Sequence, residues 1–232
     1  MQSYQRQYLK EMGIDIWLIK DSPVAINENV FEKSNAKESH IEEVDRSVAL
    51  DILAKQVAVG QQSSLHESRT QSIFSVGNPN AEWLVIGEIP EDDEDQRGEP
   101  FIGRDGKLLN SMLSAMRLPR GQVFISNILK SSLQNNRDPQ PQEILACESY
   151  LRQQIDLIKP KIILAMGRIA AQSLLKLERP IGEMRGNRYQ YPDSELSVIV
   201  TYPPAYLLCS PGDKREAWED LKFAMQIYKA IR

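Results

Sequence analysis

The sequence predicts an α/β fold: three layers, α/β/α, around a mainly parallel central sheet of about four strands. Two observations carry this. The chain holds short apolar runs at Trp83–Ile86, Val123–Ile128, Lys161–Met166 and Ser197–Thr201 that are apolar nearly throughout rather than alternating. Strands of that kind are buried on both faces, which is the condition of a parallel sheet covered by helices. Each run is also followed by a helical pattern, and strand–helix alternation is the chain order of such a sheet.

Taken in order, Tyr4, Tyr8, Leu9 and Met12 recur at helical spacing and Gly13 offers a stop. Ile14, Ile16 and Leu18 then alternate with Asp15, Trp17 and Ile19, as in a short strand. Residues 21–45 are polar, acidic and poorly periodic, the composition of a flexible linker. The α/β domain is expected over residues 46–232. It opens with a helix over Ser47–Gln61 whose inner face is Ala49, Leu50, Leu53, Ala54 and Val57. A short strand is expected at Ser72–Val76, and the turn Gly77-Asn78-Pro79-Asn80 leads into the Trp83 strand. Further helices are expected over Lys107–Arg117, Gln142–Ile158, Arg168–Leu177 and Ala217–Ile231, several bounded by Pro119, Pro160 and Gly167.

Hydrophobic residues make up 41% of the 232 and charged residues 26%, enough for a packed core. The net charge of −4 argues against a surface that coats nucleic acid broadly. Cys147 and Cys209 are the only cysteines, too few for a disulfide framework or a cysteine metal site. No apolar run reaches membrane-spanning length, and Met1–Tyr8 is polar, unlike a signal peptide, so a cytoplasmic protein is expected.

In a doubly wound sheet the loops that leave the C-terminal strand ends converge. Here those loops read GEIPEDDEDQRGEPF, SNILKSS and TYPPAYLL. With RTQSIFSVGNPNAEWLVIGE, GEPFIGRDGKLL, NRDPQPQEILACESYLRQQIDLIKPKIILAMG and MRGNRY, they resemble the family 4 uracil-DNA glycosylases over about Ser64 to Leu208. The resemblance implies that Glu88 organises the hydrolytic water, Phe101 stacks on a flipped base and Asn127 reads its edge. A flipped base needs a stacking surface, donors for its edge and a partner for the leaving group. Read from the residues alone, Glu88 and Asn127 fit backbone-satisfying roles, Phe101 fits a core position, and Glu91–Asp95 fits a solvated face.

This chain departs from the family pattern at informative places. Pro203 stands where the family has the histidine that stabilises the departing uracil, and proline carries neither a titratable group nor an N–H. Glu91 stands where the first loop has a glycine. The four cysteines that hold the family's iron–sulfur cluster correspond to Gly60, Ser63, Ser131 and Cys147, so no cluster and no other cofactor is expected.

The first twenty residues resemble a different family, the psi subunit of bacterial DNA polymerase III, through Arg6, Tyr8, Leu9, Met12, Gly13, Ile14 and Trp17. That resemblance implies a docking peptide over residues 1–20, with Arg6, Tyr8, Leu9, Met12, Ile14 and Trp17 on the clamp-loader collar. It further implies a globular domain that binds the chi subunit and so links the clamp loader to single-strand-binding protein. The resulting expectation is a non-catalytic accessory subunit, a pseudo-enzyme whose direct DNA binding is weak or absent. The alternative is a uracil-DNA glycosylase with an atypical site, lacking the histidine and the cluster.

Overall fold

The computed structural model describes residues 34–59, 72–90, 94, 98–133 and 137–232, with side chains of the first helix described from Arg46 onward. Residues 40–232 form one compact unit. The docking peptide, the first part of the linker, Gly60, Ser63 and Glu91 lie outside the described residues.

Six strands form one mixed sheet: β1 (Val76–Gly77), β2 (Trp83–Gly87), β3 (Val123–Asn127), β4 (Ile162–Met166), β5 (Arg188–Gln190) and β6 (Ser197–Thr201). Their order across the sheet is β1-β3-β2-β4-β6-β5. The four central strands are parallel and are the four that the apolar runs predict. Every residue in them is buried, as double coverage requires. The two edges differ from expectation, because β1 and β5 run antiparallel to their neighbours. β5 is exposed and mixed in character, so it leaves no apolar run to read.

The helices are α1 (Ser34–Val59), α2 (Arg104–Ala115), α3 (Pro141–Ile158), α4 (Arg168–Leu175), α5 (Ile181–Met184), α6 (Pro204–Cys209) and α7 (Lys214–Ile231). α1 starts at Ser34 rather than Ser47, and buries Leu50, Leu53 and Val57 from the face that its spacing predicts. α3 opens with a capping box. The Glu143 carboxylate accepts the Gln140 N–H at 2.7 Å and pairs with Arg137 at 2.6 Å. That arrangement fixes the loop between Arg137 and Gln140.

Two apolar layers sandwich the sheet. One joins Leu84, Ile86, Phe124, Ile163, Val198 and Val200 to α3 and α4. The other joins Val85, Ile125, Leu164 and Ile199 to α2 and α7. This is the three-layer arrangement expected.

Candidate functional site at the C-terminal edge of the sheet

Because β3, β2, β4 and β6 are parallel neighbours, Asn127, Gly87, Met166 and Thr201 end them along a single edge. Adjacent strands lie about 4.8 Å apart, so Gly87 and Thr201 are separated by roughly 10 Å. Gly87 and Asn127 are partners in the β2–β3 ladder. Neighbours in a parallel ladder project to the same face, and these two meet there. A Cβ built on Gly87 would overlap Asn127 Oδ1 and lie 2.5 Å from Phe101 Cζ and 2.9 Å from its Cε2. Only glycine leaves room for the amide and the ring edge to come together.

Phe101 is held from several directions. It adopts a left-handed backbone (φ 55°), which a bulky residue keeps only when its surroundings impose it. Its N–H donates to Glu94 Oε1. Its carbonyl rests against α2 where a Cβ on Gly106 would overlap it. The preceding carbonyl, that of Pro100, accepts the Arg120 guanidinium at 2.7 Å. Phe101 belongs to the α2-side core, and its ring edge also lies against Gly87. Glu94 corrects the expectation of a solvated face: it is 3% exposed and acts as an anchor inside the acidic run. A carboxylate that caps a left-handed loop residue has no periodic signature, and the surrounding charges conceal it.

Asn127 is 2% exposed, and its Oδ1 has no hydrogen-bond partner among the described residues. A buried acceptor left unpaired costs about 1–3 kcal/mol, so its orientation invites a donor from a ligand.

Glu88, next along β2's exit, turns to the start of α4. Its Oε1 accepts the Ile169 N–H at 2.7 Å, at the helix N-terminus. Gly167 (φ 112°) makes the approach possible, since a Cβ there would lie 2.6 Å from Glu88 Cγ and Oε1. Burial lifts the Glu88 carboxyl above the ordinary glutamate range, and the Ile169 amide and Arg168 only partly oppose that. Arg168 pairs with Asp138 at 2.9 Å, so the loop fixed by Arg137 and Glu143 also reaches this carboxylate.

At the far end of the edge, Pro203 caps α6 with ordinary extended geometry (φ −73°, ψ 149°) and Pro204 opens the helix. Neither supplies an N–H. Beside them Tyr202 and Tyr206 pack at 4.9 Å, and the Arg185 guanidinium lies 4.2 Å over the Tyr202 ring. Arg185 is itself committed to Asp220 at 2.7 Å and to Glu216.

The residues present do not fit an iron–sulfur cluster. Cys147 is buried with Leu129 and Leu133, and Ser131, also buried, offers a hydroxyl in place of a thiolate. The chain has only one other cysteine, Cys209, and it is exposed. Among the described residues no three His, Cys, Asp or Glu side chains come together to hold a metal. Two cavities are formed among the described residues. One is lined by Leu151, Leu174 and Tyr191, and the other is an open cleft of about 500 Å³ by Lys159, Pro160 and Leu196.

Fold and site together define an α/β domain that presents a buried amide and an aromatic edge at the ends of parallel strands. The profile of the "Uracil DNA glycosylase superfamily" matches residues 74–222, and the chain belongs to that superfamily. A type-4 uracil-DNA glycosylase of Archaeoglobus fulgidus is 38% identical over 180 residues, covering 75% of this chain and 90% of the relative. The type-4 enzyme of Sulfurisphaera tokodaii is 38% identical over 181 residues, covering 75% and 82%. That of Thermotoga maritima is 33% identical over 187 residues, covering 79% and 97%.

These relatives overturn the polymerase reading. Proteins that match three-quarters or more of the chain are named as glycosylases, which are enzymes that process DNA. The expectations of a psi-like subunit, of clamp-loader, chi and single-strand-binding-protein partners, of a pseudo-enzyme and of weak or absent DNA binding are therefore withdrawn. The psi resemblance rested on about twenty residues, and a short apolar peptide with an arginine recurs easily by chance. Among the described residues no helix is long and apolar enough to cross a membrane.

Proposed function

We propose that this protein is a cytoplasmic uracil-DNA glycosylase of base-excision repair, hydrolysing the bond between uracil and deoxyribose in DNA. The observation that carries the reading is the meeting of the buried, unpartnered Asn127 Oδ1 with the Phe101 ring over Gly87. A primary amide matches the Watson–Crick edge of uracil: Oδ1 accepts the N3–H and Nδ2 donates to O4. The Phe101 ring supplies the apolar surface against which a flipped base stacks.

In the reaction the C1′–N1 bond breaks and its electron pair leaves with uracil as an anion delocalised onto O2 and O4. Water adds its oxygen to C1′ and gives up a proton. Glu88 holds the water: its Oε1 is fixed by the Ile169 amide, leaving Oε2 to receive the proton, and its raised affinity for protons makes it a stronger base. Charge on the leaving base is stabilised through O4 by Asn127. Nothing at Pro203 adds to that, so the chemical step relies on the amide and on the water.

The test uses oligonucleotides with a single uracil, single-stranded and paired. Alkali-labile abasic sites are expected with the wild-type chain and not with Asn127→Ala. Wild-type protein that leaves the uracil in place would overturn the reading.

A further inference from the structure

Three residues after the base-reading amide, Lys130 turns its side chain inward and is 2% exposed. Its Nζ donates to Ser126 Oγ at 2.7 Å, to the Asn127 main-chain carbonyl at 2.9 Å and to Gln154 Oε1 of α3 at 2.8 Å. The network continues beneath. Ser126 Oγ lies 3.1 Å from the Phe74 carbonyl and Gln154 Nε2 3.3 Å from the same oxygen. The Lys130 carbonyl also accepts the Ile73 N–H at 2.8 Å. The end of β3 and helix α3 are thus tied to a single nitrogen, and Ser126, Gln154 and the Lys130 carbonyl carry the network on to the segment before β1. Resting on the glycosylase reading, we propose that Lys130 is a positioning residue for Asn127, holding the backbone that aims the amide and doing in this chain the fastening that no metal cluster can do.

Chemistry supports a positioning role over a charge role. Among the described residues no carboxylate pairs with this lysine. The titratable group acting on it among the described residues is the Cys147 thiol of α3, and the Phe74 ring lies 6.0 Å away. Burial pushes its pKa down to about 7. The network closes in both protonation states. As an ammonium, Nζ donates to all three oxygens while the Ser126 hydroxyl turns to Phe74. As a neutral amine, it accepts the Ser126 hydroxyl and keeps two N–H groups for Asn127 and Gln154. The bond to the Asn127 carbonyl survives either way, so the aim of the amide is held constant across neutral pH. The segment that carries it, with Leu129 and Leu133 packed on Cys147, needs no cluster to stay on α3.

The test compares wild type with Lys130→Met, which keeps most of the length and removes the donors, and with Leu133→Ala, which loosens the same segment without touching the network. The first readout is the Asn127 side-chain NH₂ pair in nitrogen–proton spectra of the free protein. The second is single-turnover release of uracil. Lys130→Met is expected to shift and broaden the Asn127 pair and slow release roughly tenfold to hundredfold, the range for a group displaced by up to about 1 Å. Leu133→Ala is expected to change neither while folded. An unmoved Asn127 pair in Lys130→Met, or the same changes in Leu133→Ala, would overturn the proposal. If Lys130→Met does not fold, Gln154→Leu decides: it removes one acceptor but leaves the bond to Asn127, so a displaced Asn127 pair there would also overturn it. Wild-type protein that releases no uracil would overturn the glycosylase reading, while the spectra of the free protein still decide the role of Lys130.

Discussion

Replacing Gly87 by alanine is the sharpest probe of the proposed base corner. The added methyl would lie 2.5 Å from Phe101 Cζ and overlap Asn127 Oδ1. Carbon atoms pack best at about 3.5–4.0 Å, so ring and amide must part by roughly 1 Å. Overpacking of this kind costs about 1–3 kcal/mol. The restricted unfolded chain returns about 0.4–1 kcal/mol of that. A net loss of up to about 2.5 kcal/mol lowers the melting temperature by no more than roughly 10 °C in a chain of this size. A displacement near 1 Å at reacting groups costs far more in rate, on the order of a hundredfold. The prediction is therefore a mismatch: a folded, modestly destabilised protein with almost no activity. Calorimetry and single-turnover release from uracil-containing single strands measure the two quantities. Gly87→Ala that works within threefold of wild type would refute the corner.

Glu88→Gln should slow release by about a hundredfold or more, because the general base is lost. Since burial raises the carboxyl's pKa, the acid form is the one the fold prefers, and its contribution fades as pH rises through the folded pKa. The same variant should thus melt higher than wild type at neutral pH but not near pH 4, and the wild-type rate should fall off in acid above pH 4.5. An unchanged rate would sink the assignment. Pro203→His, at a position whose backbone any residue can adopt, should speed release by roughly tenfold or more, since an imidazole near the leaving base adds the partner this chain lacks; a slower variant would show that the loop does not face the base. Lys130 should make stability rise with pH between about 7 and 10.5, where the unfolded chain binds the proton that the fold rejects. Denaturant titrations of wild type and Lys130→Met that show the same pH slope would count against that. Chelators should leave both activity and melting unchanged, and a brown, iron-bearing preparation would overturn the ligand mapping.

The parallel core was legible because burial on both faces leaves an uninterrupted apolar signature, and all four central strands carry it. Glu88, Phe101 and Asn127 could be singled out as candidates only through ordered resemblance, because an isolated glutamate, phenylalanine or asparagine at a strand end has many uses. What the sequence concealed is tertiary. Glu94 sits in a run that reads as solvent-facing, yet it is buried against the Phe101 amide. Nothing in the sequence marks Lys130 as interior, and only the approach of Gln154 from a helix 24 residues on reveals it. Arg188–Gln190 has no apolar pattern because it lies exposed at the sheet's edge.

The pairing of Gly87 with Asn127 in the parallel ladder has a further consequence. A slip of β3 by a single residue would place Ser126 or Ile128 opposite Gly87 and turn the amide to the other face. Such a misaligned chain could still be compact and helical, and ordinary spectroscopy would count it as native. Recovered activity during refolding would then act as a ruler for alignment, separating molecules that have merely collapsed from those in which β2 and β3 have found their proper register.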